Sequence, residues 1–179
     1  VDYNGDGVID PNDRTMIGNP TPDWSYGFTI SAEYKGFDFT VFGQGVAGAD
    51  VFQAIRRFDL PTSNYTTEAL GRWIGEGTSN YFPRLVDGDP NKNFSTASDF
   101  FIKDGSYFRI KTLQIGYTLP NQWLSRVGLS KVRVYVMGNN LLTFTKYTGF
   151  DPEIGSSNGI DRGIYPQPRA LMAGINIGF

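Results

Sequence analysis

Cysteine and histidine are both missing from all 179 residues. Their absence excludes thiol nucleophiles, disulfides, Ser-His triads and the usual structural zinc sites, each of which needs thiolate or imidazole chemistry. Charge is sparse and nearly balanced, with 16 Lys and Arg against 18 Asp and Glu. No basic footprint for nucleic acid follows from that, so nucleic acid is not an expected partner. Nor does any stretch approach the roughly 20 apolar residues of a membrane-spanning helix, and the first residues carry no charged-then-apolar targeting segment. The chain opens on Val rather than Met, and the expectation is a piece of a longer protein.

Aromatics and glycine are plentiful: 14 Phe, 10 Tyr, 3 Trp and 22 Gly. They fall into a two-residue period. From Trp24 to Tyr34, Trp24, Tyr26, Phe28, Ile30, Ala32 and Tyr34 share one face, and Ser25, Gly27, Thr29, Ser31 and Glu33 share the other, which is the pattern of a two-faced strand. The period predicts strands at about 24–34, 37–46, 107–119, 131–142 and 168–179, with Lys35-Gly36 as a tight hairpin connection and Pro120 as a stop. Runs of about ten residues are long for a soluble protein, where five or six is usual, but suit a tilted strand crossing a bilayer. The polar faces hold Ser, Thr, Gly, Gln and Asn rather than Lys and Glu, and aromatics crowd the strand ends as an interfacial girdle would. The fold expected is all-β: antiparallel strands of a large transmembrane barrel, with a soluble β-sandwich as the alternative.

Connection lengths alternate. With the last strand running inward, 143–167, 47–101 and 1–23 are external loops, and 120–130 and 35–36 are periplasmic turns, the asymmetry that outer-membrane barrels show. In the longest loop, Thr66 to Gly75 is expected to form one short capped helix. Strict alternation places Arg109 and Lys111 on the apolar face of Leu113 and Ile115, so they are expected at the outer interface, snorkelling.

The sharpest local motif runs from Asp2 to Asp13. Oxygen donors Asp2, Asn4 and Asp6 occupy positions one, three and five of a calcium loop, Gly7 supplies the turn, and the Val8 carbonyl is the next ligand. Asp10 and Asp13 hold positions nine and twelve. The closing Asp in place of Glu, and Pro11, make it dockerin-like rather than an EF-hand; the bland alternative is an Asn-Gly/Asp-Gly turn with solvated carboxylates. A structural calcium ion is the cofactor expected. Asp151 and Glu153, two apart in an extended Asp-Pro-Glu stretch, could share a face as glycosidase carboxylates must, but such loop acids are ordinarily turn formers, and no catalytic residue is assigned.

Several stretches resemble the SusC/RagA family of TonB-dependent outer-membrane transporters. They are Asp2 to Asp10 with Ile17-Gly18-Asn19-Pro20, Tyr26-Gly27-Phe28 and Tyr34 to Asp38, then Arg72-Trp73 with Gly77 to Asn80, Phe101 to Lys111, and Phe144 to Glu153. The resemblance implies the C-terminal part of a 22-strand barrel in the bacterial outer membrane. It also implies a plug and TonB-contacting segment in the remainder of the protein, a SusD-like surface lipoprotein as partner, and a glycan or peptide as cargo. Outer-membrane lipid is then the other partner. From the residues alone, a soluble extracellular calcium-stabilised carbohydrate-binding module stays open as the alternative function.

Overall fold

The computed structural model describes residues 2–8, 10–57, 60, 62–153 and 158–179, and all but the side chain of Val127 among them. The expected loops 1–23, 47–101 and 143–167 therefore include positions outside the described residues: Val1, Ile9, Phe58, Asp59, Pro61 and Ile154 to Ser157. Among the described residues eight strands are formed: β1 (Trp24–Tyr34), β2 (Phe37–Ala47), β3 (Asp50–Gln53), β4 (Ile102–Asp104), β5 (Tyr107–Thr118), β6 (Lys131–Thr145), β7 (Ile160–Asp161) and β8 (Ala170–Gly178). They fall in two compact units.

The larger unit holds one antiparallel sheet of five strands in the order β1-β2-β5-β6-β8. β1 and β2 are joined by a two-residue turn in which both Lys35 and Gly36 have positive φ (48° and 87°), the primed geometry that matches strand twist. Between β5 and β6, Pro120 stops the strand, a single helical turn α1 (Asn121–Leu124) follows, and Gly128 with φ 73° lets the chain reverse. Register puts Ile30 opposite Val41 and Val41 opposite Leu113; farther along, Phe39, Ile115, Val136 and Ala173 form one row. This apolar face is open to its surroundings, Ile30 by 55 %, Val136 by 57 % and Ile175 by 58 %. A β-sandwich would bury such a row against a second sheet.

The aromatic residues gather at the two ends of that face. At one end the rings of Tyr26, Phe28 and Phe144 stack on Phe108 at centroid distances of 6.3, 5.7 and 6.1 Å. Room for them comes from Gly43: a Cβ there would lie 2.8 Å from Phe108 and 3.0 Å from Phe28. At the other end Phe37 packs on Tyr117 at 4.5 Å.

Register shifts once across the sheet. Between the Thr112–Phe42 and Ile110–Gly43 pairs, β5 carries one extra residue, Lys111, and β6 sets Asn140 and Leu141 opposite it. A bulge of one residue exchanges the two faces of the strand beyond it. Phe108 and Ile110 therefore lie on the apolar face, and Arg109 pairs with Gln44 and Thr143 on the polar one. The expectation that Arg109 and Lys111 share the face of Leu113 and snorkel is corrected: the bulge turns them inward.

The smaller unit is built from loops. β3 pairs in parallel with β7, and β4 completes a three-stranded sheet. Its core is Ala69, Phe82, Phe94 and Phe101, with Phe52, Tyr65, Leu85 and Phe100 against them. The helix expected over Thr66 to Gly75 is a 3-10 turn, Thr67–Gly71. It stops because the Trp73 N–H leaves the helical path and donates to the Phe82 carbonyl at 2.9 Å, tying the segment to the aromatic core.

Candidate functional site

The polar face of the large sheet carries its charges in two places. Near the hairpin turn, Asp38 on β2 and Arg133 on β6 form a two-pronged pair that reaches over the intervening β5, with Arg133 Nε donating to Asp38 Oδ1 at 2.8 Å. Gly116 on β5 makes the crossing possible, since a Cβ there would collide with the Asp38 carboxylate. The guanidinium also lies 4.9 Å from the Tyr135 ring centroid.

The second cluster sits at the bulge. Arg109 is buried; its Nε donates to Thr143 Oγ1 (2.8 Å), one terminal nitrogen to Glu153 (2.8 Å) and the other to Asp151 (2.5 Å). Lys111 donates to both Glu153 oxygens, at 2.9 and 2.7 Å, and Gln44 Nε2 to one of them at 3.2 Å. Asp151 does more than neutralise Arg109. Its Oδ1 also accepts the Glu153 N–H at 2.9 Å, and its Oδ2 accepts the Gln167 N–H at 2.8 Å, so one carboxylate holds the outgoing and returning arms of the same connection. The returning arm is fixed a second time by Asn140 Nδ2 donating to the Pro168 carbonyl at 3.0 Å. Asn140 stands in the left-handed region at φ 52°, where Asn is one of the few tolerated side chains. The Asp-Pro-Glu segment is thus an anchor: both of its acids are paired with cations of the wall.

Burial by itself would raise the Asp151 carboxyl. The hydrogen bonds from Arg109, Gln167 and Glu153, with the Arg109 charge, outweigh it and hold the group below the ordinary carboxylate range. A carboxyl with a depressed folded-state value stabilises the fold above its ordinary pKa of about 3.9, and that contribution fades only as pH falls through the lower folded value. Arg109, Lys111, Glu153 and Tyr107 are the charged or titratable groups around it. Exchange protection of the Glu153 and Gln167 amides in the full-length protein is expected to be the same at pH 5 as at pH 7. Protection already lost at pH 5 would contradict this assignment.

The calcium-type motif lies in the smaller unit, and its acidic groups face backbone. Asp2 accepts the Gly5 and Gly7 N–H groups (2.6 and 2.9 Å), Asn4 Oδ1 that of Asp6 (2.9 Å), Asp6 that of Val8 (2.8 Å) and Asp10 that of Asn12 (2.7 Å). Asp13 closes the loop on itself, accepting from Tyr3 at 2.7 Å and from Asp10 at 2.9 Å. The Gly7 and then the Gly5 N–H hold the Asp2 carboxyl below its usual range; for Asp13 the Asp10 N–H is the main cause. Among the described residues, no group of three or more acidic side chains is placed to hold a metal ion.

No family model matches the sequence. Individual relatives do. A TonB-dependent receptor designated P3 from Formosa agariphila is 36% identical over the whole chain, and TonB-dependent receptor SusC from Bacteroides thetaiotaomicron is 29% identical, also over the whole chain. Among solved structures, that of the RagAB peptide transporter superposes with a TM-score of 0.72 and 28% identity over 92% of the chain. The chain spans less than a fifth of these relatives: 18% of P3, 17% of SusC and 18% of the matched RagAB chain. Open apolar and polar faces, aromatic ends and these matches agree, and the chain belongs to the SusC/RagA family of TonB-dependent receptors, as part of the β-barrel of a bacterial outer-membrane protein.

Proposed function

We propose that this segment supplies part of the wall and external loops of an active importer that works with TonB and a SusD-like surface lipoprotein to take up glycans or peptides. The observation carrying this reading is the sheet itself: an apolar face fit for lipid backs a polar face on which Asp38 pairs with Arg133, and Arg109 and Lys111 pair with Asp151 and Glu153. Matches to SusC and to a peptide transporter support it. The test uses the complete receptor. Its deletion is expected to abolish energy-dependent uptake of an oligosaccharide or oligopeptide, and its purification from outer membranes to bring a surface lipoprotein with it. Unchanged uptake of every such solute would overturn the proposal.

Calcium at Asp2, Asn4, Asp6, Val8, Asp10 and Asp13 is proposed as a structural role in the same receptor, supported by the spacing of the oxygen donors. Binding would exchange part of the backbone hydrogen bonding described above for metal contacts. Titration of the full-length receptor with Ca²⁺ is expected to give saturable heat that Asp6→Ala removes, and no heat in the wild type would leave a plain turn.

A further inference from the structure

The Glu153 carboxylate is held by donors that belong to the wall rather than to its own loop. A guanidinium (Arg109), an ammonium (Lys111) and a primary amide (Gln44), from β5 and β2, converge on its two oxygens at 2.7 to 3.2 Å. That donor set recognises a carboxylate whatever molecule carries it. The two acids of the cluster differ in access. Asp151 keeps 6% of its side chain exposed, whereas Glu153 keeps 26% and Lys111 20%, so the Glu153 position opens onto the polar face.

Charge balance then limits what can happen there. With Glu153 in place, two cations meet two anions; without it, Arg109 and Lys111 have Asp151 alone, and a partly buried positive charge is left uncompensated. Release of Glu153 from these donors is therefore favoured when another anion takes its place.

We infer that Arg109, Lys111 and Gln44 form a carboxylate-binding site in which Glu153 is the resident ligand, exchanged for the carboxylate of an arriving solute. The inference rests on the importer reading, in which the polar face lines the passage, and deepens it by naming an acidic cargo. Acidic peptides and uronate-bearing glycans share that chemistry. Exchange frees the outgoing arm at Glu153, while Asp151 still holds it to the wall.

Sodium acetate, compared with sodium chloride at equal ionic strength, is the probe, titrated calorimetrically into the full-length receptor in detergent micelles. Glu153→Ala is expected to bind acetate saturably and at least about tenfold more tightly than the wild type, because the competing side chain is gone. Glu153→Gln preserves the shape of the arm and is expected to fall between the two. Adding Lys111→Met to Glu153→Ala should abolish the response. Glucuronate and a short acidic peptide as second probes tell the two carriers apart. If a folded Glu153→Ala or Glu153→Gln receptor shows no response specific to acetate, or if Lys111→Met leaves that response intact, the cluster is a structural ion-pair network and the inference fails. Binding is read here without transport, so a negative uptake experiment would strike the importer reading and leave this result standing.

Discussion

Ile30→Arg in the full-length receptor is expected to destabilise the assembled barrel by about 2–4 kcal/mol, the cost of a cation on the lipid face near the bilayer midplane. Ile30 lies between the two aromatic ends of the sheet, opposite Val41, and its side chain is open on the apolar face. The neighbouring Thr29→Arg serves as the comparison. Thr29 pairs with Phe42 on the other face, where a long cation finds water rather than hydrocarbon, and the change is expected to be tolerated. Urea midpoints of the refolded receptor in lipid vesicles, with the amount inserted in outer membranes, measure both. Equal loss from the two substitutions would reverse the assignment of faces.

Asp151→Ala is expected to cost about 3–5 kcal/mol, because it strips a buried guanidinium of one of its two carboxylates. It also leaves the Glu153 and Gln167 N–H groups without their acceptor. Replacing both ends of the pair, as Arg109→Met with Asp151→Ala, should cost less than the sum of the two single changes, since no unpaired charge then remains at that contact. The same urea midpoints supply the cycle. Strict additivity would show that the two groups do not act on each other.

The long strands are legible in the sequence because each hides one face and wets the other. Trp24 to Tyr34 shows this without interruption, and a period of two admits no helical reading. The bulge is where that logic slips. Reading a strict period through Lys111 puts Arg109 beside Leu113, whereas the register sets it opposite Gln44 and Thr143. A signal was available: Phe108 and Ile110 are apolar at even positions, Leu113 and Ile115 at odd ones, and such a phase break is what an inserted residue leaves behind. Missing it hid the cluster as well, since the partners Asp151 and Glu153 lie more than forty residues along the chain and no local pattern joins them. The short strands β3, β4 and β7 escaped for another reason. Strands of four, three and two residues have too few alternations to show a period, and they exist through pairings between distant segments.

β1 and β8 are the two outer strands of the sheet and, among the described residues, each leaves one side of its backbone without a strand partner. Cut free of its receptor, the segment would present two rows of unpaired amides and carbonyls beside an uncovered apolar surface, and every copy would be a template for the next. Strands would then add edge to edge at the spacing of about 4.7–4.9 Å common to all sheets. The expected product is an insoluble cross-β deposit. The alternation that lets these strands sit in a membrane thus makes them, outside a closed barrel, a nucleus for aggregation.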